Sequence, residues 1–258
     1  MKKLKSLFLE AKELMRSVPS LVVASFLLSL IGMNLLANKS INLPLDFMAL
    51  DAGILFSWVC SLSMDVTIRR FGLRAANILT VIGLLFNLFL ALIFFLAAII
   101  PGVWGESFVP GSEDIINNAL NGTFRGTWYV LLGSSAAFLV SALTNNFLNF
   151  GLGKVFRGEG KGSFYARSLI STFVGQFVDN LVFALIVSLH FFGWTITQCF
   201  VCALTGAVVE LLFEAIFSPI GYRVVKKWEK EGVGEGYLKL IRSKKEEPIH
   251  ENIDNGNE

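Results

Sequence analysis

The chain has 258 residues, of which 54% are hydrophobic and 16% are charged, and its formal net charge is +2. Because about a quarter of the residues in a soluble domain are charged, this composition excludes an ordinary soluble globular protein. Six spans of about 20 residues, the length needed to cross the hydrocarbon core, leave no room for a separate soluble domain. In lipid, long apolar runs form helices because a helix satisfies the hydrogen-bonding groups of its own backbone. We therefore predict an all-α integral membrane protein.

The first predicted element is an amphipathic helix over residues 1–17. Basic residues alternate there with apolar residues that recur at helical spacing. We expect this helix to lie on the cytoplasmic surface of the membrane. A plain cytoplasmic helix is the alternative interpretation.

Six apolar runs follow, and we predict that each forms one transmembrane helix. They lie at residues 18–37, 46–64, 74–100, 127–150, 165–189 and 196–221. Connections rich and poor in Lys and Arg alternate along the chain, and of the 22 basic residues only Lys39 and Arg125 fall in the poor ones. The positive-inside rule places the rich connections and both termini in the cytoplasm. We therefore predict a transmembrane domain over residues 18–225 in the inner (cytoplasmic) membrane.

Two segments lie outside the predicted spans. Residues 226–258 are charged and poor in apolar side chains, which predicts a disordered cytoplasmic tail. The long outer connection at residues 101–126 is either a lid or a simple loop, and the sequence does not distinguish the two.

The fifth run has the most informative polar pattern. Its polar and aromatic residues recur on one helical face, and they are Ser168, Thr172, Gln176, Asp179, Asn180 and Phe183. Polar groups inside the bilayer are costly, so this face must point to the bundle interior or to water. We predict that it binds a substrate; hydrogen bonding between helices is the alternative.

Polar residues in other runs are candidates on the same grounds. Glu210 in the sixth run and Asn34 and Asn38 at the end of the first run are predicted to contact the substrate. Candidates for proton transfer or ion pairing are Glu214, Asp65, Arg69 and Arg167. Asp65 precedes Arg69 by four residues, so a local ion pair is the simplest interpretation of that pair.

The three cysteines do not indicate a site. Cys60, Cys199 and Cys202 all lie in apolar runs, and no second cysteine pair or nearby histidine completes a metal motif. We predict no metal, no cofactor and no disulfide, with the cysteines acting as small packing residues.

Three segments together resemble the queuosine precursor transporter family, also called the vitamin uptake transporter (VUT) family. They are residues 65–76, residues 167–183 and residues 210–219, and the resemblance covers about residues 30–225. It implies six helices, similar to the substrate-binding subunits of energy-coupling-factor importers. It also implies import of 7-cyano-7-deazaguanine or 7-aminomethyl-7-deazaguanine. Asn180 stands where many relatives are expected to have Thr, which leaves the preferred precursor open.

The candidate residues suit such a ligand. A carboxylate accepts two hydrogen bonds from the adjacent N–H and amine of a guanine-like ring, and Gln or Asn can pair with the ring oxygen and nitrogen. Aromatic side chains can stack on the ring. Asp179 or Glu210, with Gln176, Asn180 and Phe183, supply these groups.

Two other functions compete with import by this chain alone. The first is a substrate-capture subunit that needs a separate ATP-driven module, because the sequence has no P-loop of its own. The second is an integral membrane enzyme, but the sequence contains no convincing set of catalytic residues. Expected partners are the substrate and the lipid bilayer, with a homo-oligomer or an energising module as further possibilities and no nucleic acid.

Overall fold

The computed structural model of the chain describes residues 2–45, 49–104, 111–155 and 161–254. Side chains are described for these residues except 2–4, 42, 49, 142–143, 145–155, 161–169, 171 and 245–254. The described chain is almost entirely helical, with one short hairpin of two strands.

The helices are α1 (Lys2–Ser17), α2 (Ser20–Leu36), α3 (Ile54–Phe71), α4 (Leu73–Ile99), α5 (Glu113–Val155), α6 (Lys161–Phe183), α7 (Leu189–Phe191), α8 (Ile196–Glu231) and α9 (Glu235–Asp254). A π-helical turn, Ala184–Ser188, joins α6 to α7. Strands β1 (Ser40–Asn42) and β2 (Ala49–Asp51) pair antiparallel between α2 and α3.

Several helix boundaries differ from the predicted spans. The second run was expected to be helical from residue 46, but β2 occupies Ala49–Asp51 and α3 begins only at Ile54. Conversely, α5 begins at Glu113, well before the predicted start at residue 127. Two carboxylates, Glu113 and Asp114, stand in its first turn and favour a helix start through the helix dipole.

In the described part of the chain, three helical segments are long and apolar enough to cross a membrane: Leu73–Ile99, Thr172–Phe191 and Ile196–Glu231. A fourth span is possible if Lys5–Ser17 and Ser20–Leu36, which meet at an angle of 107°, are counted together. Large apolar side chains on α4 remain exposed, with Leu85 and Phe89 each 62% exposed. Water does not favour so many exposed apolar side chains, whereas lipid does, so the chain is a multi-pass membrane protein.

The chain divides into two compact units. The first unit consists of Met1–Leu28, Val59–Gly83 and Ile216–Glu258, and the second consists of Ser29–Trp58 and Leu84–Ala215. In the second unit α5 packs along α6 and the π-helical turn. The Tyr129 hydroxyl donates a hydrogen bond to the Ile186 carbonyl at 2.7 Å, and the Ser141 hydroxyl donates one to the Gly175 carbonyl at 2.8 Å.

The first unit orders much of the segment that was expected to be a disordered tail. Residues 226–231 continue α8, and a turn with positive φ at Gly232 and Gly234 leads into α9. Tyr237 of α9 is fully buried and packs against Phe71 at a ring-centroid distance of 6.3 Å. The segment is ordered because a few large side chains pack well, which overall composition does not reveal.

Candidate functional site

A cavity within the second unit brings together several of the predicted site residues. The cavity has a volume of about 70 Å³ in which the centres of water molecules can lie, and this is enough for several waters. The residues that line it are Met33, Asn34, Ala37, Leu50, Asp51, Gly53, Ile54, Ser57, Ser134, Asp179, Asn180, Phe183, Ala184, Cys202, Gly206 and Glu210. They come from α2 and the residue after it, β2, the β2–α3 connection, α3, α5, α6, the π-helical turn and α8.

Three carboxyl groups line this cavity, each from a different element. Asp51 ends β2, Asp179 lies in the last turns of α6, and Glu210 lies in the middle of α8. Both aspartates are close enough to Glu210 that a negative charge on either would disfavour a charge on Glu210. Among the described residues that line the cavity there is no Lys, Arg or His. The charged groups of the site are therefore all acidic.

Asp51 is held by the backbone that follows it. Its Oδ1 accepts a hydrogen bond of 2.8 Å from the Gly53 backbone N–H. This contact spans the junction between β2 and α3, where the chain turns from strand to helix. The hairpin therefore directs an acidic side chain into the cavity from a segment that the sequence predicted to be helical.

Asn180 and Glu210 approach each other where α6 meets α8. Gly206 makes this possible, because a Cβ at that position would lie 2.8 Å from Asn180 Nδ2. Within the described side chains, Asn180 Nδ2 and Glu210 Oε2 are buried polar atoms that lie close to each other without a well-formed hydrogen bond. Such atoms are costly unless something satisfies them, so this part of the wall is where a polar ligand would bind.

Phe183 and Asn34 are the other two predicted site residues that line the cavity. Phe183 ends α6, directly before the π-helical turn, and also packs against Val130 and Val187. Single π-helical turns are frequent at functional sites because they change which side chains face inwards. Asn34 is buried on α2, where its Nδ2 donates a hydrogen bond to the Leu30 carbonyl at 3.0 Å.

Other predicted site residues do not line the cavity. Thr172 and Gln176 lie one to two turns earlier on α6 than Asn180. Asn38 follows α2, and its Nδ2 donates to the Leu35 carbonyl at 3.1 Å. Glu214 lies one turn beyond Glu210 on α8. The predicted stripe therefore meets the cavity only at the C-terminal end of α6.

The predicted ion-pair residues belong to other places. Asp65 and Arg69 lie on α3 in the first unit, where Asp65 is within the electrostatic reach of Arg69. Arg69 Nη2 donates a hydrogen bond to the Ser218 hydroxyl at 3.1 Å. The side chains of Arg167 and Ser168 lie outside the described side chains.

Sequence reasoning missed four polar or titratable residues of the cavity wall: Asp51, Ser57, Ser134 and Cys202. The predicted span over residues 46–64 placed Asp51 inside a helix, and only the hairpin reveals its position. Cys202 does pack with Cys199, Ala184 and Trp194, as expected for a small apolar residue, while also lining the cavity. No periodic pattern marks these positions, because their neighbours come from distant parts of the chain.

The described side chains include no group of three or more His, Cys, Asp or Glu that could hold a metal ion.

Comparison with known proteins identifies one family. Residues 51–224 match the family model described as Putative vitamin uptake transporter. The match covers all of the cavity residues from Asp51 to Glu210 and confirms the family indicated by the sequence. No curated protein and no solved structure matches the chain.

Proposed function

The chain belongs to the vitamin uptake transporter family, and we propose that it imports a queuosine precursor, 7-cyano-7-deazaguanine or 7-aminomethyl-7-deazaguanine. It is a multi-pass membrane protein of a transporter family, and we place it in the inner (cytoplasmic) membrane. The observation that carries the proposal is the cavity, in which Asp179, Asn180, Phe183 and Glu210 meet.

These side chains match the groups of a deazaguanine ring. The carboxylate of Asp179 or Glu210 can accept hydrogen bonds from the ring N–H and the exocyclic amine. The Asn180 amide, whose Nδ2 has no well-formed hydrogen bond among the described side chains, can donate to the ring oxygen. Phe183 provides an aromatic surface beside them. The ligand would then supply hydrogen bonds to Asn180 Nδ2 and Glu210 Oε2.

Binding to the purified protein in detergent tests the proposal. Calorimetry measures the affinity of the protein for each precursor, with guanine and riboflavin as comparison ligands. Asp179→Asn keeps the side-chain shape but replaces an oxygen acceptor with an NH₂ donor, so precursor affinity should fall about ten- to a hundredfold. Asp114→Asn, which removes an exposed carboxylate from the start of α5, is the matched control and should bind normally.

Uptake is tested in a cell that cannot make queuosine and lacks its own importer. Expression of this chain with nanomolar precursor should restore queuosine in tRNA. Binding without rescue would favour the substrate-capture subunit that needs a separate ATP-driven module. Absence of binding to either precursor would contradict the proposed substrate.

We also propose that the membrane domain has six spans with both termini inside. The alternation of basic residues along the connections supports this topology. A cysteine at Ser112 should react with an impermeant reagent from outside, and a cysteine at Ser243 only after permeabilisation, in a background without native cysteines. Labelling of both from the same side would contradict the three spans predicted between these two positions.

A further inference from the structure

The cavity wall is acidic on several sides. Among the described residues that line it, the carboxyl groups are Asp51 from β2, Asp179 from α6 and Glu210 from α8, and the other titratable group is Cys202 from α8. The parts of α2, α3 and α5 that line the cavity contribute only uncharged side chains. Carboxylates that share a small site repel each other, and each must give up hydration to be there. A positively charged partner would stabilise the ionised form of such carboxyl groups.

The hydrogen bonding of Glu210 gives separate support for a positively charged ligand. Glu210 Oε2 is buried without a well-formed hydrogen bond, and the side chain that acts on its carboxyl as a donor is the neutral amide of Asn180. Neither Lys, Arg nor His reaches the described cavity wall to supply a charged donor. A carboxylate in this position gains most from a donor that also carries positive charge, because charge-assisted hydrogen bonds are about twice as strong as neutral ones.

A metal ion fits this wall less well than an organic cation. The described side chains hold no cluster arranged to ligate a metal. An ammonium group instead donates three hydrogen bonds in different directions. Those three donors match carboxyl groups that approach from separate elements.

We propose that this cavity selects a ligand that carries a primary ammonium group. The inference rests on the proposed function, and of the two precursors it assigns the aminomethyl compound as the preferred ligand. The two molecules share one ring and differ in a single substituent. A primary amine is protonated at neutral pH, as the lysine side chain is, whereas a nitrile is uncharged. Charge is therefore the main property by which the site can distinguish them.

Competition between the two precursors on the purified full-length protein tests this assignment. At pH 7 the aminomethyl compound should bind about ten- to a hundredfold more tightly than the cyano compound. Glu210→Gln should reduce this ratio about tenfold or more, and Asp114→Asn should leave it unchanged. If Glu210→Gln does not yield folded protein, Asp51→Asn provides the same comparison and retains the oxygen that accepts the Gly53 N–H.

The pH dependence gives a second measurement on the unmodified protein. Acidification from pH 8 to pH 5 should weaken binding of the aminomethyl compound, since protonated carboxyls no longer attract a cation, and should affect the cyano compound less. Equal affinities at pH 7, or tighter binding of the cyano compound, would overturn this inference while leaving the proposed function intact. If neither compound binds, both are overturned.

Discussion

The carboxylate of Glu10 is fully buried, and the guanidinium of Arg74 donates a hydrogen bond to it at 2.7 Å. This pair joins α1 to the start of α4 within the first unit. Lys244 of α9 approaches the same carboxylate at 3.0 Å, and the Tyr237 hydroxyl lies 3.5 Å from its other oxygen. Three helices are therefore connected through one acidic side chain.

The first prediction concerns this carboxylate. Glu10→Gln removes the charge that both cations share while keeping the side-chain volume. We expect the free energy of unfolding to fall by about 1.5–3 kcal/mol, the contribution of hydrogen bonds to a charged group. Thermal unfolding in detergent measures the change. Glu231→Gln is the control, because its exposed pair with Lys227 at 3.8 Å should contribute less than about 1 kcal/mol. Equal effects in the two variants would contradict a special role for Glu10.

The second prediction concerns alkaline pH. Burial, together with the negative charge of Glu10, raises the pKa of Tyr237 to about 12. In the unfolded chain the phenol ionises near its ordinary value of about 10, so the folded protein retains a proton that the unfolded chain releases. Stability from this group is complete below about pH 10 and declines as the pH rises towards 12.

Tyr237→Phe removes this proton and isolates its effect from that of the lysines. The unfolding temperature of the unmodified protein should decrease more steeply between pH 10 and pH 12 than that of the variant. Parallel curves for the two proteins would show that the phenol does not titrate as its surroundings indicate.

A third prediction follows from the ordered C-terminal helix. A chain that ends after Glu231 lacks Tyr237 and Lys244, and we expect a loss of about 3–5 kcal/mol, the cost of deleting one large buried aromatic side chain. A chain that ends after Glu247 keeps both side chains and should unfold like the full-length protein. Abundance in the membrane and unfolding temperature are the measurements. Full stability in the shorter chain would support the disordered tail that the composition suggests.

The fourth prediction concerns Gly206, which allows Asn180 to lie against α8. A methyl group there would stand 2.8 Å from Asn180 Nδ2, so Gly206→Ala must displace that amide. We expect precursor affinity to fall about tenfold or more, corresponding to the loss of one good hydrogen bond. Gly122→Ala is the matched control on α5, because nothing lies within 4 Å of its added carbon. A normal affinity in Gly206→Ala would remove Asn180 from the binding site.

Local patterns in the chain were sufficient for much of the fold. The apolar runs predicted a helical membrane protein, since the bilayer imposes a length and a composition that few other structures share. Three segments led to the correct family, and the end of the polar stripe on α6 did reach the cavity through Asp179, Asn180 and Phe183. Gln176 and Thr172 share its helical face, but periodicity does not tell where along a helix a cavity begins.

Contacts between distant residues decided the remainder. Asp51 lines the cavity because a hairpin interrupts an apolar run, and Glu210 stands beside Asn180 because Gly206 permits close packing of two helices. The charged C-terminal segment forms a helix because Tyr237 and Lys244 find partners on α1 and α3. The free energy of such contacts depends on side chains far apart in the chain, so only the tertiary structure brings them into view.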